Sequence, residues 1–266
     1  MSAIGSLLRE IIRGRALLFN LAKNDLKSRY AGSFFGIVWA VIQPLVTILV
    51  FWYVFQVGFR SAPINNVEFI LWFAAAYIPW VYFNDGLISS TNCLYEYNYL
   101  IKKIKFPVSL LPLVKICSSA MIHTFFICFV FFMYLVYGYS FDVMWVQALY
   151  YTFALTCLLI GLSWIMSSLA VFFKDFSQIV AVILQVGFWL TPIFWSPEGM
   201  SETVLFTVKL NPLYYITQGY RDTFIYSVSF MEHPVLTAYF WAVTGIIFIV
   251  GAVLYQKLRP HFADIL

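Results

Sequence analysis

At 266 residues, 62% hydrophobic and only 11% charged, the chain is too apolar for a soluble domain and suits a polytopic membrane protein. Its mean hydropathy is +0.85, and a formal charge of +4 is too small to signal a nucleic-acid partner. Aromatic residues make up 21%, so ring chemistry has to be accounted for as well as lipid contact.

Residues 1–33 are basic and amphipathic. Ile4, Leu7, Leu8 and Ile11, then Leu18, Leu21 and Ala22, recur at helical spacing, with Arg9, Arg13, Arg15, Lys23, Lys27 and Arg29 between them. The pattern predicts a helix lying in the headgroup plane, against the plainer reading of a solvated basic tail. No cleavable signal peptide is expected, because the first apolar run begins after this segment and is of spanning length.

Six apolar runs follow, at about 34–57, 69–88, 113–137, 145–173, 179–195 and 235–255, each near the ~20 residues a bilayer core requires. With the N-terminus in the cytoplasm, thirteen of the sixteen Lys and Arg residues fall on that side, Lys115 and Lys174 among them. Only Arg60, Lys209 and Arg221 fall on the other. Both termini are then cytoplasmic, the number of spans is even, and 196–234 is extracytoplasmic. The fold class expected is an all-α membrane protein: a gate-like segment, 1–33, and one six-span domain, 34–266, with no internal repeat.

Three stretches carry candidate function. The loop after the second run, 93–111, has Tyr95, Glu96, Tyr97 and Asn98 where a short helix would begin, Lys102, Lys103 and Lys105 at its far end, and Pro107 to stop it. It reads as a docking peg for a soluble partner or as an ordinary basic loop. The stretch 196–234 mixes Leu205, Phe206, Val208 and Leu210 with Glu202, Lys209, Asn211 and Pro212. Such a segment re-enters the interface or packs over the end of a bundle. The first and fifth runs are rich in rings (Trp39, Phe51, Trp52; Phe188, Trp189), and proline interrupts both, at Pro44 and Pro192. Rings stack on sugar C–H faces while tolerating sliding, and they also form lipid-interface belts.

Other chemistry is sparse. No GxxxxGK[ST] phosphate loop is present, and His123, His233 and His261 form no HExxH or Cys/His cluster, so neither ATP hydrolysis nor a metal site is expected in this chain. Cys93, Cys117, Cys128 and Cys157 have no CxxC spacing and read as small hydrophobes. Asp85 is the one carboxylate well inside a run, either a functional acid or a hydrated residue near the interface.

With these residues laid out, the chain resembles the membrane permease subunits of ABC transporters that export polysaccharides: O-antigens, wall teichoic acids and some capsules. The resemblance rests on DLKSRYAGSFFGIVWAVIQPL (25–45), IKKIKFPVSLLP (101–112), FFKDFSQIV (172–180), FWLTPIFW (188–195), NPLYYITQGYRD (211–222) and LRPHFADIL (258–266), in that order. It leans toward the O-antigen and teichoic-acid branch.

The resemblance implies two permeases working with two ATP-hydrolysing subunits, so that ATP and Mg belong to the partner and none to this chain. It implies a multi-pass protein of the bacterial cytoplasmic (inner) membrane, serving lipopolysaccharide or teichoic-acid biosynthesis by moving a lipid-linked polysaccharide. The segment before the first span would be a gate helix. The loop 94–103 would be a coupling helix, with Tyr95, Glu96, Tyr97 and Asn98 as contacts. The segment 198–226 would form two re-entrant gate helices bearing Asn211, Tyr214, Tyr215, Tyr220 and Arg221. Trp39, Phe51, Trp52, Phe188 and Trp189 would line the polymer path. Asp85 stands where relatives are expected to carry a small polar residue.

Competing readings are an ABC permease for a lipid, drug or antibiotic, an integral-membrane glycan-processing enzyme, and a passive channel. Ring density in the first and fifth runs counts against the first. An enzyme would need converging acid, base or metal ligands, and a passive channel would need no coupling helix.

Overall fold

The computed structural model describes residues 3–60, 64, 67–103 and 107–266, without the side chains of residues 3, 4, 8, 102 and 103. Lys105 and the side chains of Ile4, Leu8, Lys102 and Lys103 therefore lie outside the described residues. The described residues are helical apart from turns and an isolated bridge between Ile64 and Val67.

Gly14 splits the basic N-terminal segment into α1 (Ala3–Arg13) and α2 (Arg15–Arg29). A Cβ there would come within 2.6 Å of Leu110 Cδ1, so a glycine lets the junction lie against the bundle. The single headgroup-plane helix expected from the sequence is thus two helices, and α2 rests on protein. Ala22 and Asp25 are its buried residues, and Ser118 Oγ donates to the Ala22 carbonyl at 2.9 Å. Of the residues in α2 whose spacing suggested a membrane face, Ala22 is turned inward, and the acid Asp25 is turned inward with it.

Four helical stretches are long and apolar enough to cross a membrane: Gly36–Gly58, Leu110–Val136, Val143–Phe172 and Pro234–Ile265. The first contains α3 (Trp39–Phe51), with Pro44 inside it, and a π-helical turn, Trp52–Gly58. The second is α6 (Leu110–Val136), which ends where Gly138 takes a φ of +87°. The third contains α7 (Gln147–Phe172). The fourth contains α11 (Pro234–Leu258) and α12 (Phe262–Ile265).

The other two expected spans fall short of that standard for different reasons. α4 (Phe69–Glu96) is 28 residues long but carries Asn84, Asp85, Ser89, Ser90, Thr91 and Asn92. It is packed among α6, α7, α8 and α10. Ser90 and Thr91 return their hydroxyl protons to the Leu87 carbonyl, so these polar groups are satisfied within the protein and lipid contact does not constrain them. α8 (Phe176–Leu190) is apolar but only 15 residues long. The run expected to reach Trp195 stops because Thr191 precedes a proline, which disfavours helical backbone; Thr191 is extended, at φ −82° and ψ 134°.

Two further differences concern the connections. The short helix expected to start at Tyr95 starts instead as α5 (Asn98–Lys103), while Tyr95 and Glu96 form the last turn of α4. The stretch after α8 folds into α9 (Glu202–Lys209) and α10 (Pro212–Arg221), continued by a π-helical turn, Asp222–Tyr226.

Packing between α7 and α11 depends on glycine. A Cβ on Gly251 would lie 2.4 Å from the Gly161 carbonyl oxygen, and one on Gly161 would lie 2.9 Å from Phe248 Cα. Small residues permit this approach, the usual means of helix association where lipid removes the hydrophobic drive.

Candidate functional site

Across α4, the first and fifth helices meet at a cluster of rings. Phe51 stacks on Phe73 with centroids 4.7 Å apart, and meets Phe188 edge-on at 6.1 Å. Phe188 also packs on Trp80 at 5.7 Å and Phe194 at 5.5 Å. Such pairs contribute about 0.5–1.5 kcal/mol each beyond burial. Of the five residues expected to line a path, Phe51, Trp52 and Phe188 are therefore partly covered and hold the two helices to the core. Trp189 is 58% exposed and Trp39 is also exposed, at the other end of α3 beside Phe35. Beyond the ring cluster, Val46, Leu49, Val50 and Tyr53 on the first helix, and Ile179, Val182, Ile183 and Val186 on α8, are exposed. Each helix buries one side and leaves a broad apolar side bare.

At the α2 end, a charge network joins three helices, α2, α4 and α6. Lys115 of α6 is 4% exposed and places Nζ 2.5 Å from Asp25 Oδ1 of α2 and 2.5 Å from Glu96 Oε2 of α4. Tyr97 donates to Asp25 Oδ1 at 2.8 Å, and the Lys115 ammonium sits over the Tyr97 ring at 5.1 Å. Arg29 bridges Asp25, at 3.1 Å, and both oxygens of Asp85, at 2.9 and 3.0 Å. Ser119 donates to the same Asp85 carboxylate. Burial would raise the Asp25 pKa, but the Lys115 bond and charge, then Tyr97 and Arg29, outweigh it and hold the carboxyl below its ordinary range. For Arg29, burial works against the charge, while Asp85 and Asp25 overcome it and raise its pKa. Tyr97 is pushed up by burial and by its bond to Asp25.

Three of the four expected coupling contacts also bond within the chain. Glu96 and Tyr97 bond within the chain, and Tyr95 donates to the Ala170 carbonyl at 3.0 Å on α7. They fix the base of α5, whereas Asn98 opens α5 itself. Asp85 is a paired acid at the network's edge, beside a cavity of about 230 Å³ that Gln43, Thr47, Tyr77 and His123 also line.

At the opposite end, α10 is enclosed by α4, α7 and α11. Asn211 caps it, accepting from Leu213 N at 3.0 Å and donating to Thr191 Oγ1 at 2.9 Å, which ties the helix start to the end of α8. Tyr215 shares hydrogen bonds with Tyr150 at 2.9 Å and Thr237 at 3.0 Å. Tyr220 bonds His123 at 2.8 Å and Thr152 at 2.7 Å. Arg221 is buried, donates to the Ile193 carbonyl at 2.9 Å, and lies 3.3 Å over the Trp72 ring. Tyr214 lines the adjoining cavities. A Cβ on Gly219 would meet the Tyr151 ring at 2.1 Å, so the helix seats only with a glycine there.

Sequence reasoning missed Asp25, Lys115, His123 and Thr191. Two signals were available: Asp25 and Arg29 stand four apart, an intrahelical pairing distance, and Lys115 is the only charge in its apolar run. Lys115 and Arg221 entered the orientation count, one on each side, yet both are buried in the bundle.

A model of the ABC-2 type transporter family matches residues 16–225, from within α2 to the turn after α10. Two relatives from Klebsiella pneumoniae carry the name O-antigen export system permease protein RfbA. One is 29% identical over 259 residues, covering 94% of this chain and 95% of the relative; the other is 28% identical over 255 residues, with the same coverage. A protein of the same name from Myxococcus xanthus is 24% identical over 267 residues, covering 97% and 98%.

Proposed function

The chain belongs to the ABC-2 type transporter family, and from that premise we propose that it is the permease subunit of an ATP-driven exporter of lipid-linked polysaccharide. O-antigen is the first candidate cargo, with teichoic acid or capsule after it. The observation that carries this reading is near full-length similarity to three proteins named O-antigen export permeases. The integral-membrane character of the chain and its bare first and fifth helices agree with it.

Two copies face each other across a twofold axis, with the bare sides of Gly36–Gly58 and α8 enclosing a channel. Closure of two ATPase subunits on the cytoplasmic side pushes on α5, and α4 carries the stroke to the rings it holds. The N-terminal helices gate the cytoplasmic entry, while α9 and α10 gate the far side. Exposed rings hold the glycan loosely between strokes without a deep trap. The lipid end stays among acyl chains, where it is already favourable.

Trp39 and Trp189 are the residues to change, because both are exposed whereas Phe51 and Phe188 hold the core together. The double variant Trp39→Ala with Trp189→Ala is expected to lose most polysaccharide export while still assembling with itself and with the ATPase. Undiminished export from that variant would remove the ring-lined path.

A further inference from the structure

The cavity of about 230 Å³ beside Asp85 lies between α3, α4 and α6. It touches α3 through Ala40, Pro44 and Thr47, on another side of that helix from the exposed Val46, Leu49 and Val50. One buried group in its wall lacks a partner. His123 of α6 is 2% exposed, and its Nδ1 has no hydrogen bond among the described residues. Nε2 turns the other way, to Tyr220 at 2.8 Å and Thr152 at 3.3 Å, neither of which lines the cavity. Stacking on Tyr82, with centroids 4.6 Å apart and planes at 13°, holds the ring in this orientation.

The neighbouring contacts fix where its proton sits. The Thr152 hydroxyl donates to the Ala148 carbonyl at 2.8 Å. Its oxygen therefore accepts from the Tyr220 hydroxyl, at 2.7 Å. The Tyr220 oxygen then accepts from His123 Nε2. A neutral imidazole protonated on Nε2 carries a bare lone pair on Nδ1. A buried acceptor of this kind is costly unless something donates to it, so the occupant of the cavity is a hydrogen-bond donor.

The rest of the wall narrows the class. Trp80 and Tyr77 bring rings, Gln43 and Asn84 bring amides, and Asp85 is the one charged side chain in the lining. Arg29 already neutralises Asp85, so no net negative charge is left to hold a cation. Rings beside amides and a carboxylate match a sugar, whose C–H face stacks while its hydroxyls donate. The volume equals that of about eight waters, room for one small ring and not for several. A neighbouring cavity of about 430 Å³, lined by Arg29, Ser89 and Asn92, also reaches Asp85 from the α2 end. The Arg29–Asp85 pair thus stands between the two spaces, and its partial exposure makes it easy to part.

We propose that the cavity between α3, α4 and α6 binds a single uncharged sugar unit, one hydroxyl of which donates to His123 Nδ1, and that the sugar enters past the Arg29–Asp85 pair. This rests on the export reading above and deepens it, giving the cargo a binding site inside each chain, apart from the channel between copies.

The test uses the purified full-length chain in phosphatidylcholine nanodiscs, labelled with ¹⁵N at its three histidines. His123→Gln identifies the His123 signals by their loss. In the free protein His123 is expected to show a protonated Nε2 and a bare Nδ1. The methyl glycosides of glucose, galactose, mannose and rhamnose are then titrated separately, with choline as the cationic control. At least one glycoside is expected to move the Nδ1 signal saturably, and choline is not. Ala40→Phe fills the cavity from α3 without touching the His123–Tyr220 bond, and is expected to weaken glycoside binding at least tenfold. A proton on Nδ1 in the free protein, an Nδ1 signal that no glycoside moves, or a stronger response to choline would overturn the proposal, and none of these needs the variant to fold. Undiminished glycoside binding by Ala40→Phe overturns it as well. Export in cells separates the two readings. If a strain lacking the chain still displays its polysaccharide, the export reading fails. If export needs the chain but no glycoside moves the Nδ1 signal, only the site fails.

Discussion

Lys115 Nζ lies 2.5 Å from the carboxylates of both Asp25 and Glu96, and its Asp25 partner is buried while its Glu96 partner is half exposed. One ammonium thus joins the N-terminal helix to the end of α4 from inside α6. Buried ion pairs are weak evidence for net stability, but breaking one is costly because a charge is left unpaired in a poorly solvating site.

Lys115→Met should therefore destabilise the docking of α2 by about 3–5 kcal/mol, and Asp25→Leu added to it should recover much of that loss. Protease access to α2 and thermal unfolding of the purified chain in detergent report both. If the single and double variants prove equally unstable, the lysine acts through packing and not through its charge.

Arg29 and Asp85 should behave differently. The Asp85 side chain is 39% exposed, so solvent screens the pair, and its contribution should stay below about 1 kcal/mol. A double-mutant cycle of Arg29→Met and Asp85→Asn measures it. A coupling of several kcal/mol would show that Asp85 is shielded in the membrane-embedded protein.

The pH dependence follows from the lowered pKa of Asp25. A carboxyl held below its free value of about 3.9 contributes stability that is present above that value and is lost as the pH falls through the lower, folded pKa. Docking of α2 should survive acidification to pH 5 and loosen only below the ordinary carboxylate range. Hydrogen exchange of α2 amides at stepped pH checks the direction; release between pH 5 and 6 contradicts it.

Gly219→Ala forces a methyl into the Tyr151 ring, whereas a Cβ at Gly245 on α11 meets nothing within 4 Å. Overpacking of this kind costs about 1–3 kcal/mol. Gly219→Ala should lower the unfolding temperature and loosen α10, and Gly245→Ala should leave both near wild type. Equal melting of the two variants would mean that α10 is not seated as described.

Apolar run length, helical spacing and ordered motif strings were enough to place this chain in the membrane, to locate its long helices within a few residues, and to point to its family, because lipid imposes a one-dimensional demand that composition meets locally. The rings of the first and fifth runs were legible for the same reason. Which of them are bare was not: Phe51 and Phe188 are covered only because α4 brings Phe73 and Trp80 against them. The ends of helices depended partly on near neighbours, as Thr191 before Pro192 shows, and that stop was readable in principle. The pairing of Lys115 with Asp25, ninety positions away, was not. A buried charge survives only if distant segments deliver its partner, and no local pattern records that arrangement. Nor does any local pattern record the cavity at His123, whose walls come from three helices that meet only when the chain is folded.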